Sequence, residues 1–320
     1  MARLALFLLL CSTALAAAPA VAADYDVTPG LRTGYAADWN GGDDPLSFEL
    51  GLRYWYSWGA QNFNVGPAAL DENDRTQTVE GQFRINDAST RFYAKGLAGT
   101  SFAIDGNSSG GPAGQPSAVS DGRVSYLGAD LGYSWLGDAG NGTGAGPLIG
   151  YMYWNDSPNF GRAVFNPSPT SGDSRENDIA INALRLGFGG RANLGNAFDV
   201  TAELAGVPYA KIDGTLGAYG IGSIDTGTTT ITQSSAADIH GWGYGAMGEV
   251  MVGFHPSDAL TLRLGGRAWY LQGRSDTSFN TTTVNNAAPT TVTGTQTYIN
   301  TDNPWSLFRY GLVGELTYNF

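Results

Sequence analysis

One cysteine, two histidines and 17 basic side chains in 320 residues leave little material for several kinds of chemistry. The cysteine, Cys11, falls in an apolar leader-like stretch, so the chain beyond it offers neither a disulfide nor a thiol nucleophile. Lys and Arg face 29 Asp and Glu, and a formal charge of −12 argues against nucleic acid, whose phosphates need a basic patch. No later run approaches the ~18 consecutive apolar residues of a membrane-spanning helix. A phosphate-binding glycine motif between strand and helix, metal-ligand spacing and a nucleophile elbow are all missing. The run Asp71-Glu72-Asn73-Asp74 lacks the glycine and closing glutamate of a calcium loop and reads as a solvated loop tip. No catalytic residue, metal or cofactor is expected.

What is plentiful is glycine, with 46 residues, and aromatic side chains, at 12% of the chain. The start, Met1-Ala2-Arg3, an apolar run from Leu4 to Leu10 and small residues down to Ala22-Ala23 predict a secretory signal peptide over 1–23. Leu10 stands before Cys11 where a lipoprotein signal wants a small residue, so lipidation is not expected. Residues 24–320 then form one exported domain. The opposite end, Leu307 to Phe320, alternates strictly. Phe308, Tyr310, Leu312, Leu316, Tyr318 and Phe320 take one face, and Arg309, Gly311, Glu315, Thr317 and Asn319 the other. Aromatics at both ends of an apolar face suit a strand that crosses two membrane–water interfaces. This stretch resembles the closing strand of bacterial outer-membrane β-barrels, and the resemblance assigns Tyr318 and Phe320 to the terminal insertion signal.

Nine more strands precede it, read at 46–58, 75–85, 91–103, 123–135, 147–154, 179–192, 197–212, 238–254 and 260–272. The connections alternate. Long polar ones at 59–73, 105–122, 155–178, 213–237 and 273–304 alternate with short turns such as Asn86-Asp87-Ala88 and His255-Pro256-Ser257-Asp258. A soluble sandwich gives no reason for every second loop to be long, whereas outer-membrane barrels have even strand numbers, short periplasmic turns and long outer loops. The expected fold is an all-β, ten-stranded antiparallel transmembrane barrel in the bacterial outer membrane. Its partners would be outer-membrane lipid and lipopolysaccharide, with periplasmic chaperones and the barrel-assembly machinery on the way there.

By parity the lumen collects Glu49, Arg53, Glu80, Arg84, Lys95, Asp130, Arg185, Glu203, Glu249, Arg263, Arg267, Arg309 and Glu315. Acids and bases are interleaved, and lone buried charges are costly, so a paired network filling a narrow lumen is expected. About eight strands give a lumen just filled by side chains, while open aqueous pores need roughly sixteen.

Ten strands with Val252-Gly253-Phe254-His255-Pro256 and the ending Gly314 to Phe320 also resemble the omptin-type barrel, a family of outer-membrane proteases. That family uses an aspartate pair near its second outer loop and an Asp-x-His after its fourth. Asp238-Ile239-His240 has the second spacing, but the second loop here supplies Asp105 and Asp121 far apart. The resemblance therefore implies the architecture without the complete site, and His240 reads as a hydrogen-bonding rim residue. The function expected is a non-enzymatic barrel with a structural or surface-binding role for its outer loops, since loops on a rigid scaffold carry recognition. The alternative is a narrow porin-like channel.

Overall fold

The computed structural model of the chain describes residues 45–320 except 66–67, 111–116, 139–142, 164, 166–173, 219, 221–222 and 288–290. The expected leader at 1–23 and the lead-in to 44 lie outside the described residues. The first strands are β1 (Leu46–Val65), β2 (Ala68–Asp87), β3 (Phe92–Gly110), β4 (Ser117–Val119), β5 (Gly122–Tyr133), β6 (Leu136–Asp138) and β7 (Thr143–Pro158). Then come β8 (Asp178–Leu194), β9 (Phe198–Leu216), β10 (Ser223–Asp225), β11 (Thr229–Gln233), β12 (Ala237–Ser257), β13 (Leu260–Asn285) and β14 (Thr291–Asn319).

Every pairing among them is antiparallel. Strands β1, β2, β3, β5, β7, β8, β9, β12, β13 and β14 pair in that order, and β14 pairs with both β13 and β1, so the order returns to its start. The seam between first and last strand is long, from Glu49↔Asn319 to Phe63↔Trp305. Phe48 and Phe320 exchange backbone hydrogen bonds of 3.0 Å at its lower end, with their rings stacked at 5.9 Å. The remaining four strands are additions: β4 beside β3, β6 beside β7, and β10 and β11 beside the upper part of β13.

The short turns behave as their residues dictate. Asp87 Oδ1 accepts from the backbone N–H of Ser89 at 2.9 Å, and Arg91 leaves the turn at φ 63°. His255-Pro256 falls where the β12–β13 register shifts, so the missing proline N–H costs the ladder no bond.

The connections read as long loops need correction. Within stretch 59–73 the described residues are paired strand, the upper part of β1 and β2, in register from Trp58↔Arg75 to Val65↔Ala68. The described residues of 273–304 are likewise the upper part of the β13–β14 pair, running from Gly273↔Trp305 to Asn285↔Thr291. Strand β3 also continues to Gly110, β7 to Pro158 and β9 to Leu216, into stretches read as loop. In these stretches the outward face is polar and the buried face mixes Phe63, Leu70 and Phe279 with Gln61, Glu72 and Thr277, so apolar alternation disappears while the backbone ladder persists.

Side-chain direction divides the ring into two environments. Outward, Leu127, Leu204, Leu264 and Leu312 are all more than half exposed. On β12 the outward series is Phe254, Val252, Val250, Tyr244 and Trp242, with aromatics at each end. From Trp242 to Phe254 is twelve steps, which at the tilt usual for barrel strands makes a band about 25–30 Å tall. Inward, the lining also changes along the strands. Toward the short turns it is mostly charged, and toward the long hairpins it is mostly apolar, with Ile104, Val124, Ile181, Ile212, Ile239 and Leu307 all buried.

Candidate functional site

Three layers fill the interior. The charged layer lies toward the short turns. Arg191 on β8 donates from both Nη nitrogens to Glu49 on β1, at 2.8 Å each, from the far side of the ring. Arg53 reaches Glu315 on the neighbouring strand and Glu249 on β12, the latter at 2.9 Å. Arg267 bridges Glu80 and Glu249, both at 2.6 Å. Arg263 joins Asp199 at 2.8 Å and Glu315 at 2.6 Å. Lys95 and Arg185 share Asp130 and Glu203. Guanidinium groups that meet carboxylates with both nitrogens hold strands together with defined geometry. Two small cavities, about 50 and 20 Å³, remain here, and Arg53, Lys95, Glu203 and Glu249 line both.

An aromatic layer sits above. Trp269 is the hub, with Trp55 at 4.8 Å, Tyr126 at 4.9 Å and Trp154 at 5.1 Å between ring centroids. None of the four is more than 4% exposed. The Arg267 guanidinium carbon lies 4.8 Å from the Trp55 ring and 5.3 Å from the Trp269 ring, which ties the two layers together. The Tyr126 hydroxyl donates to Glu80. Each ring buries roughly 150–250 Å² and so contributes several kcal/mol.

The third layer is an ion triad enclosed by the apolar core. Arg309 donates to Asp74 with Nη1 and Nη2 at 2.8 Å each, and to Asp156 with Nε and Nη2 at 2.9 and 2.7 Å. Gln61 also donates to Asp156 Oδ1 at 2.8 Å. Glycine at 59 is what leaves room: a Cβ there would lie 2.2 Å from Asp74 Oδ2 and 2.5 Å from Arg309 Nη2.

Of the thirteen charged residues read for the lumen, twelve are placed in ion pairs. Arg84 is the exception: its Nε donates to Asn86 Oδ1 at 2.6 Å instead of to a carboxylate. Sequence reasoning missed Asp74, Asp156, Asp199 and Arg191. The run 71–74 is no loop tip, since Glu72 and Asp74 are buried and alternate with exposed Asp71 and Asn73. Extending the strand parity one residue before 75 and two residues beyond 154 would have found Asp74 and Asp156.

The residues considered for an omptin-type site are not brought together. Asp105 pairs with Arg75 at 2.5 Å, and Asp121 Oδ1 accepts from the Phe160 N–H. Asp238 pairs with Arg175 at 2.9 Å, and His240 Nδ1 lies 3.0 Å from Asp213, beyond the outer aromatics Trp242 and Tyr244. Burial pushes the Asp213 carboxyl up, but hydrogen bonds from Lys211 and His240 outweigh it and hold it below the usual range.

No protein-family model and no curated protein matches the sequence. Among solved structures, the translocator domain of the autotransporter NalP from Neisseria meningitidis is 12% identical, with TM-score 0.33 over 89% of this chain and 91% of that one. The Pseudomonas putida toluene transporter TodX is 11% identical, with TM-score 0.29 over 87% and 90%. The transport unit of the autotransporter AIDA-I from Escherichia coli is 10% identical, with TM-score 0.31 over 89% and 94%. Superpositions this loose carry no argument about activity.

Proposed function

We propose that this chain is a ten-stranded β-barrel of the bacterial outer membrane, closed inside by its own side chains, whose outer β-ribbons form a binding surface. The outward apolar band supports the membrane reading. A continuous apolar surface of that height is untenable in water and is solvated by lipid. Lipid and lipopolysaccharide surround it, and chaperones with the barrel-assembly machinery deliver it. The observation that carries the functional reading is the contrast between a packed interior and hairpins that run on beyond the outer aromatics, β13–β14 as far as Asn285↔Thr291. Rigid ribbons hold recognition residues better than loose loops do. Protease shaving of intact cells tests it. Cleavage confined to the ribbons and β10–β11, with a protected core of heat-modifiable mobility, is expected. Full protection of the ribbons would refute it.

A narrow channel is the second reading. Its support is the pair of small polar cavities that meet at Arg53, Lys95, Glu203 and Glu249 below the aromatic layer. Ion conductance separates the two readings.

A further inference from the structure

Among the described residues, every interior cation except Arg84 has a carboxylate at ion-pair distance. Arg84 stands directly across the β1–β2 ladder from Glu49, its natural partner. Glu49, however, gives both oxygens to Arg191. Arg84 therefore turns aside, with Nε on Asn86 and its guanidinium carbon 4.0 Å from the centre of the Tyr93 ring. Its two Nη nitrogens donate to no described protein group. Arg84 lines the cavity of about 50 Å³ together with four other cations and four carboxylates. With Arg84 the layer holds seven cations and seven carboxylates, so what Arg84 lacks is a hydrogen-bonded acceptor for its Nη groups and not a balancing charge.

We propose that this cavity is an anion site, in which Arg84 holds a small oxyanion of the phosphate or carboxylate kind. Guanidinium donors left without an acceptor in a narrow interior are costly, and a bound oxyanion supplies the acceptor. The free fork presents two parallel N–H groups to two oxygens of one ligand. Gln82, two residues along β2, and Thr201 on β9 line the same cavity and add neutral donors. The space exceeds what a single water needs and suits a ligand of a few heavy atoms. The site lies just inside the aromatic rim formed by Phe48 and Phe320, at the end of the ring that carries the short turns. Ligand would enter from there. The inference is independent of what the outer ribbons bind.

Calorimetric titration of the full protein, extracted in detergent, with inorganic phosphate and separately with acetate tests the proposal. Wild type is expected to bind one of the two saturably, and which one identifies the oxyanion. Arg84→Gln should weaken that binding about ten- to hundredfold, the loss of one charge-assisted pair. Glu49→Gln releases Arg191 as a second free cation and should tighten it. Binding of neither anion by wild type, or equal binding by Arg84→Gln, overturns the site. If Arg84→Gln does not fold, Glu49→Gln decides the matter: affinity unchanged or weaker than wild type overturns it as well.

Discussion

Arg309 on the last strand and Asp156 on β7 lie halfway round the ring from each other, and two hydrogen bonds of 2.7 and 2.9 Å join them through the interior. Neither side chain has any exposed surface. Arg309→Met would leave Asp74 and Asp156 facing each other with no counter-charge. The expected loss is about 3–5 kcal/mol, the cost of breaking a buried ion pair from one side. It would be read as a drop in the temperature at which the detergent-resistant form unfolds. Adding Asp74→Asn and Asp156→Asn to Arg309→Met should recover part of it. No recovery would show that packing, not charge, governs this layer.

The aromatic hub gives a second expectation. Trp269→Ala removes the ring that touches Trp55, Tyr126 and Trp154, and should cost about 3–5 kcal/mol. Leu264→Ala, on the same strand but outward and 67% exposed, should cost far less, because lipid replaces its contacts. Equal losses would contradict the division into packed interior and lipid-facing exterior.

The upper β13–β14 ribbon should be dispensable for folding. Joining Thr277 to Asn300 through a short Asn-Gly turn removes paired ribbon above the band while leaving the ring pairings from Leu260 to Ser275 intact. Heat-modifiable mobility is expected to survive, and any surface binding carried by that ribbon to disappear. Failure to assemble would mean the ribbon belongs to the folding unit.

At the other end, hydrogen bonds from Ser89 and then Thr90 hold the exposed Asp87 carboxyl at about 2. A depressed folded-state value means the turn's stabilisation is full above the unfolded carboxylate range near ~4 and is lost as pH falls through about 2. Asp87→Asn should remove that acid-range dependence from the turn. A carboxyl carbon shift in NMR that titrates near 4 would contradict it.

Strand identity was legible wherever one face met an apolar environment, as in 46–58 and 307–320, because burial enforces alternation of hydrophobicity there. It was illegible in 59–73 and 273–304, where the outward face is polar and the buried face mixes Phe63, Leu70 and Phe279 with Gln61, Glu72 and Thr277, so no apolar alternation marks the strand. The charged interior was readable from parity within each apolar strand. Asp74 and Asp156 escaped because each lies just past the end of that pattern, inside a core whose walls are contributed by other strands. The bare guanidinium of Arg84 was also invisible, since Glu49 sits at the right register and its preference for Arg191 depends on a strand halfway round the ring.

Planar-bilayer recording on the wild-type protein tests the central claim most directly. A ring closed by the Trp55, Tyr126, Trp154 and Trp269 layer and by the Arg309 triad above it should insert without producing unitary current steps at neutral pH. Stable, reproducible steps from the pure protein, abolished by denaturing it before addition, would contradict the sealed interior and establish the channel instead.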